Sequence, residues 1–310
     1  MIPICLVTGF LGSGKTTLLG ELARTPEGAA SVFVVNEFAK TDVDGRLVGD
    51  AVPVISIPGG SIFCTCLVTR FVEHLKALAE KHAKTPYEGV VIEASGIANP
   101  SVIERLLSET ELDQTFVLRR VIAVAEPITL PKVLQTLPNA RQQLEAADLI
   151  LLNKTDLVQE DVATAMLDTL REINADAEIR MTRRCAPVSG ADLYAGPHHT
   201  RADGDYATCA DPNFTVLRLE LTNAPSRDAL SERIRAFPGE LYRAKGWVTC
   251  AEGPTFIDLA SGQITTEAVS DATALTGLVL MAGGDMETEL REHFACFTSP
   301  LAIAAKGEAK

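Results

Sequence analysis

Residues Gly9 to Thr16 read Gly-Phe-Leu-Gly-Ser-Gly-Lys-Thr, a G-x-x-x-x-G-K-T spacing suited to gripping a chain of phosphates. The apolar run Ile4-Cys5-Leu6-Val7 leads into it and Thr17-Leu18-Leu19 leads out. A strand that ends in a glycine-rich turn and opens a helix aims several backbone N–H groups, and the positive end of the helix dipole, at one anion. A nucleoside triphosphate is the expected occupant. In that arrangement Gly9, Gly12, Ser13, Gly14 and Thr17 contribute to the cradle, Lys15 reaches the β and γ phosphates, and Thr16 holds Mg²⁺.

Asn153-Lys154-Thr155-Asp156 follows the apolar run Leu149 to Leu152. An Asn and an Asp at this spacing can read a guanine edge, the carboxylate accepting from the ring N1–H and the exocyclic amine. Adenine offers no such pair of donors, so Asn153, Lys154 and Asp156 predict GTP. A third motif starts where Val90-Val91-Ile92 delivers Glu93 to the end of a strand, ahead of Ala94-Ser95-Gly96. Glu93 there can organise the Mg²⁺ shell or the attacking water, and Gly96 can donate its N–H to the terminal phosphate while letting the loop move. No arginine finger is readable, which predicts slow intrinsic GTP hydrolysis.

These motifs need a scaffold. Strand-length apolar runs occur at Ile4–Val7, Val32–Val35, Val52–Ile57, Val90–Ile92, Val121–Val124 and Leu149–Leu152, alternating with helical patterns. Strands apolar on both faces predict a parallel sheet covered by helices on each side. Phe71, Leu75 and Leu78 mark the buried stripe of one helix, Leu144 belongs to another, and Val162, Met166 and Leu170 to a third. The fold class is therefore α/β, a P-loop domain over residues 1–196. A polar, turn-rich stretch at 197–212 reads as a linker. Residues 213–310 then read as a smaller α+β domain. Its strands run over Phe214–Leu221 and around Trp247, Phe256 and Leu278, with a Ser261-Gly262 turn. Ser226 caps a helix reaching Phe237, and a last helix spans Asp285–Phe294.

A formal charge of -13 argues against nucleic acid, which requires a basic surface. No run approaches the roughly 18 apolar residues of a membrane span, and Met1-Ile2-Pro3 leads into the first strand without the basic region or cleavage site expected of a secretory signal. A cytoplasmic location is the expectation. Seven cysteines, an odd number scattered along 310 residues, do not form a disulfide framework. Cys64 and Cys66 are the close pair.

Five ordered segments together resemble the CobW-type GTPases, relatives of the HypB and UreG metal-insertion GTPases. They are G-F-L-G-S-G-K-T-T from Gly9, V-N-E-F at Val35–Phe38, E-A-S-G-I-A-N-P at Glu93–Pro100, A-D-L-I-L-L-N-K-T-D-L at Ala147–Leu157, and R-A-K-G-W-V at Arg243–Val248. The resemblance covers nearly the whole chain, including the C-terminal domain. It implies a GTP-hydrolysing metallochaperone or metalloenzyme activator that serves a client metalloprotein, with Asn36 and Glu37 in the first switch segment.

One departure stands out. The family carries G-C-x-C-C between its switch segments, whereas Gly60-Ser61-Ile62-Phe63-Cys64 keeps only the last cysteine and adds Cys66. Two thiolates on one zinc lie at most ~4.6 Å apart, while residues i and i+2 of a strand are separated by roughly 6.6 Å. The segment must therefore curl to chelate, and two sulfurs leave a tetrahedral ion half satisfied. The remaining ligands would come from Glu37, His74 or the pair His198-His199. Alternatively, Cys64 and Cys66 of a second chain would complete a Cys₄ site on a homodimer axis. Zinc, cobalt or another divalent metal suits the first arrangement, and zinc or an iron–sulfur cluster the second. The favoured reading is a GTPase whose nucleotide state gates this loop. Two alternatives are a dimeric cluster-carrying redox activator of a client, such as a corrinoid protein, and a metal-free GTP-gated binding module.

Overall fold

A computed structural model of the chain describes residues 1–37, 52–58, 61–64, 67–199, 206, 214–260, 262–269 and 277–298. The chain divides into two compact units, Met1–Cys209 and Ala210–Lys310.

The first unit is built on seven strands. In chain order its strands and longer helices are β1 (Ile2–Thr8), α1 (Lys15–Ala23), β2 (Val32–Glu37), β3 (Val54–Pro58), α2 (Val68–Lys84), β4 (Val90–Glu93), α3 (Val102–Glu109), β5 (Phe116–Ala125), α4 (Leu130–Thr136), α5 (Pro138–Glu145), β6 (Leu149–Leu152), α6 (Glu160–Ile173) and β7 (Glu178–Met181). The strand order is β3-β2-β4-β1-β5-β6-β7, and every pairing is parallel. Side-chain alternation explains the unbroken apolar runs. Ile4 and Leu6 of β1 join Phe71, Leu75 and Leu106 on one face, while Cys5 and Val7 join Leu18, Leu22 and Val124 on the other. Both faces are buried, so the run Ile4–Val7 is apolar throughout and the first polar position is Thr8, at the carboxyl end of the strand.

The connection from β1 runs to one side of the sheet and the connection from β4 to the other, so the end of β1 is a switch point. In parallel sheets of this kind, ligands settle at the carboxyl ends of the strands beside such a point. The phosphate loop lies there.

The helical stripe of α2 is as expected, with Phe71, Leu75 and Leu78 buried. In α6 the buried stripe is Ala163, Met166 and Leu170, and Val162 is 43% exposed. Sequence reasoning chose the wrong neighbour because Val is the more apolar of the adjacent pair, whereas the helix axis presents Ala163. Strand β7, Glu-Ile-Arg-Met, was not anticipated: it lies at the sheet edge, is only partly buried, and lacks an apolar run.

The second unit holds β8 (Phe214–Leu219), α7 (Arg227–Arg235), β9 (Leu241–Cys250), β10 (Gly253–Ala260), β11 (Gln263–Ala268), β12 (Gly277–Gly283) and α8 (Glu287–His293). Its sheet has the order β11-β10-β9-β12-β8 and is antiparallel throughout. Ser226 caps α7 as anticipated, its side chain accepting from Ala229 N. The polar hairpin partner β11, Gln-Ile-Thr-Thr-Glu-Ala, was missed because it is largely exposed. Trp247 is a core residue, with its ring 5.0 Å from that of Phe256. Lys245 is also buried, its ammonium 5.9 Å from the Phe256 ring centroid, which gives the R-A-K-G-W-V motif a packing role.

Candidate nucleotide site and cysteine segment

After Thr8 the chain turns through three positive-φ glycines, Gly9 (133°), Gly12 (76°) and Gly14 (117°). Gly14 is the N-cap of α1, a helix with no side-chain cap and no acidic residue in its first turn. Its first N–H groups are therefore aimed outward for an anion. A side chain at Gly14 would be strained by its φ, and its Cβ would fall 2.4 Å from Asn153 Nδ2. Lys15 is buried inside the curl, with Nζ donating to Gly9 O at 2.8 Å and Phe10 O at 3.3 Å. Thr16 is half-buried and Thr17 exposed on the same first turn.

The N-K-x-D segment braces this loop. Asn153 Nδ2 donates to Ser13 O at 3.0 Å, and its Oδ1 accepts from Cys185 N at 2.8 Å and Thr182 Oγ1 at 3.3 Å. Lys154, in the left-handed region at φ 59°, donates from Nζ to Gly12 O at 2.7 Å. Asp156 stays exposed in the following turn. The segment thus divides its work: Asn153 and Lys154 hold the cradle, and Asp156 is available to a ligand.

Cys185 completes the brace and was not anticipated. It lies in a tight loop after β7, with left-handed φ at Arg184 and Cys185. Burial pushes its thiol up to about 12, so it remains protonated and donates to Gly14 O at 3.4 Å. No motif pointed to it, because the strand before it was unrecognised.

Glu93 ends β4, buried, in register with Val7 on one side and Val35 on the other. This register brings three motifs to one level. Gly96 packs directly on the phosphate loop: a Cβ there would sit 2.6 Å from Leu11 Cδ2 and 2.9 Å from Leu11 N. The segment after Glu93 is gripped from α5, where Gln143 Nε2 donates to Gly96 O (3.1 Å) and Ala98 O (3.0 Å) and Asn139 Nδ2 to Ile97 O (2.7 Å). Neither residue belonged to a motif. Around this edge the hydroxyls of Thr8, Ser13 and Ser95 are buried with no hydrogen-bond partner among the described residues. Glu93 and Thr16 offer hard oxygen donors, the set that suits Mg²⁺.

At the end of β2, Asn36 is buried. Its Oδ1 accepts from Ile62 N at 2.9 Å and Ser95 N at 3.2 Å, and Nδ2 donates to Ile57 O at 3.1 Å. Cys64 is buried two residues beyond Ile62, its N bonded to Ser61 O and its carbonyl accepting from Leu67 and Val68 at the start of α2. Cys66, most of the first switch segment and the side chain of Glu37 lie outside the described residues. Among the described residues no group of three or more Cys, His, Asp and Glu is placed to hold a metal ion.

His198 and His199, considered above as metal ligands, do not join Cys64. Asp148, just before β6 at the opposite end of that strand from Asn153, accepts from His198 Nδ1 at 2.8 Å, His199 N at 3.0 Å and Val121 N at 2.8 Å. Burial alone would lower the His198 pKa, but hydrogen bonds to Asp148 and Glu104 outweigh it and lift the value to about 9. Burial likewise opposes ionisation of Asp148, and the three donors hold its carboxyl below the usual range. The sequence pattern of two adjacent histidines gave no hint of a partner at residue 148, distant in sequence. His74 sits half-buried on α2, between Phe71 and Leu75.

The model of the family described as CobW/HypB/UreG, nucleotide-binding domain, matches residues 3–181. The zinc chaperone YjiA of Escherichia coli is 32% identical over 181 residues, 57% of this chain and 56% of that protein. The zinc chaperone YeiR of the same organism is 30% identical over 250 residues, 80% of this chain and 74% of its own length. The zinc chaperone CobW of Sinorhizobium sp is 29% identical over 196 residues, 54% of each chain. The chain thus spans just over half the length of YjiA and CobW. Among solved structures, Zn(II)-bound YjiA GTPase from E. coli covers 96% of this chain and 99% of its own, at 20% identity and a TM-score of 0.44.

Proposed function

The chain belongs to the CobW/HypB/UreG family, and from that premise we propose that it is a GTP-hydrolysing metallochaperone whose nucleotide state governs a cysteine-bearing segment. The uncapped, Gly14-led first turn of α1, sharing one sheet edge with buried Glu93, is the observation that carries this reading.

In this reading the Gly12–Thr17 backbone cradles the phosphates and Lys15 turns its ammonium from the loop carbonyls to the β and γ oxygens. Asp156 accepts from the guanine edge, while Asn153 and Lys154 keep the cradle in shape. Thr16 and Glu93 would hold Mg²⁺, which supplies charge neutralisation between the β and γ phosphates. Glu93 orients the attacking water and Gly96 donates to the γ phosphate. Metal is the cargo rather than a resident cofactor. Zinc, the ion in the relatives' names, is taken up by Cys64 with Cys66 and Glu37, and is released to a client metalloprotein when the γ phosphate is lost. Tenfold weaker cargo binding after hydrolysis requires a difference of about 1.4 kcal/mol.

Two measurements test it. Calorimetry is expected to find guanine nucleotides bound with Mg²⁺ at least tenfold tighter than adenine nucleotides; equal affinities would remove the guanine assignment. The paired Cys64→Ser and Cys66→Ser variant is expected to lose stoichiometric zinc while keeping GTP affinity. Full zinc retention would remove the cargo assignment.

A further inference from the structure

We infer that Asn36 is the positioning residue through which the nucleotide's terminal phosphate acts on the cysteine segment, its single carboxamide oxygen joining Ser95 of one to Ile62 of the other. This rests on the function proposed above and names its coupling element.

The two segments are 33 residues apart in sequence from Ile62 to Ser95, yet their backbone N–H groups converge on Asn36 Oδ1 at 2.9 and 3.2 Å. Asn36, Ile62 and Ser95 are all buried, so water cannot replace one donor when it leaves. The Ser95 bond is the longer of the two. A hydrogen bond at about 3.6 Å is no longer one, so a shift of the Ser95 backbone by roughly 0.4 Å is enough to break it. Ser95 immediately precedes Gly96, whose N–H is assigned to the γ phosphate and whose Cα abuts Leu11 of the phosphate loop. Downstream, Gly96, Ile97 and Ala98 are fixed by Asn139 and Gln143 of α5. Because the carbonyls from Gly96 onward are held, a displacement of the Gly96 N–H is taken up on the Ser95 side.

On the other side the link is stiff. The Asn36 amide is oriented by Ile57 O at the end of β3. Ile62 leads through Phe63, which packs edge-on against Phe71 with ring centroids 6.1 Å apart. Cys64 is then pinned between Ser61 and the first turn of α2. When Ser95 lets go, Oδ1 loses one of its two donors among the described residues and the bend carrying Cys64 relaxes. When a γ phosphate draws Gly96 into place, both donors are held and the bend is fixed. The coupling is reciprocal: metal at Cys64 tightens the triphosphate by the same factor.

The test measures zinc affinity by competition with a chelating dye, in Mg²⁺ with a non-hydrolysable GTP analogue and again with GDP. The wild-type ratio is expected to be about tenfold, within the usual range of couplings. Asn36→Ala should bring that ratio within about twofold of unity, with the affinity for the GTP analogue in zinc-free buffer changed less than about threefold. Asn36→Asp retains an accepting oxygen but replaces the Nδ2 donor to Ile57 O with a second oxygen, so it should restore only part of the ratio. An alanine variant that keeps the full ratio overturns the inference and leaves the proposed function standing. A wild-type ratio of one overturns both. Should the alanine variant not fold, amide hydrogen exchange on the wild type decides: Ile62 and Ser95 must change protection together between the two nucleotide states, and a change in one alone overturns the inference.

Discussion

At the amino end of β6, Asp148 accepts from Val121, His198 and His199, and the nearby Asn174 donates to Leu144 and Ala147 while accepting from Asp176 and Ala177. At the carboxyl end, the equally buried hydroxyls of Thr8, Ser13 and Ser95 have no partner among the described residues. Burying a polar group without a hydrogen bond costs on the order of 1–3 kcal/mol, so the contrast is not neutral for stability. The amino end pairs most of its polar groups, with Arg120 Nε an exception among the described residues there, and holds the fold together. The other leaves several of them without a partner among the described residues, beside the proposed nucleotide site.

Substitutions at the two ends should therefore fail differently. Lys15→Ala is expected to lower GTP turnover by roughly a thousandfold, the scale of removing a charge-stabilising donor, while circular dichroism remains that of the parent. Unfolding of the variant instead would show that the carboxyl end is also structural. Asp148→Ala should do the opposite, costing about 3 kcal/mol in urea denaturation because buried donors lose their acceptor, with nucleotide affinity unchanged by calorimetry.

A pH series refines the same contrast. The folded-state pKa of His198, about 9, lies above its ordinary value of 6.5. Its charged pairing therefore contributes in full below about pH 6.5 and fades as pH rises through 9. His198→Gln should cost about 1.5 kcal/mol at pH 6 and close to nothing at pH 10, measured as paired urea midpoints; a penalty independent of pH would mean that the ring serves only as packing. The smallest effect belongs to Val162→Ala, exposed on α6, which should stay within about 0.5 kcal/mol of the parent. Ala163 is the residue that faces the core.

What the chain disclosed in advance follows the same division. The phosphate loop, Glu93 and the N-K-x-D segment could be read because each is a local device, a strand followed at once by the chemistry it positions. Asn36 was assigned to a switch segment, but its junction of Ile62 with Ser95 is a contact between segments far apart in sequence. Cys185, Gln143 and Asn139 stayed hidden for that reason. The partly exposed edge strands β7 and β11 lack the apolar run that marked the others, and the surroundings of the histidine pair stayed hidden because the partners of His198, Asp148 and Glu104, lie 50 and 94 residues away. The periodicity of α6 was found with Met166 and Leu170 on its buried stripe, and only its first position was set one residue too early, at Val162 instead of Ala163.

The brace on the phosphate loop also imposes an order on biosynthesis. Ser13 and Gly14 lean on Asn153 and Cys185, partners 140 and 171 residues further along the chain. At ribosomal speeds of about 5–20 residues per second, the interval between making Gly14 and making Cys185 is roughly 9 to 34 seconds. A nascent chain passes through that interval with its glycine turn translated but unbuttressed, and capture of the triphosphate becomes a late event in the emergence of the polypeptide.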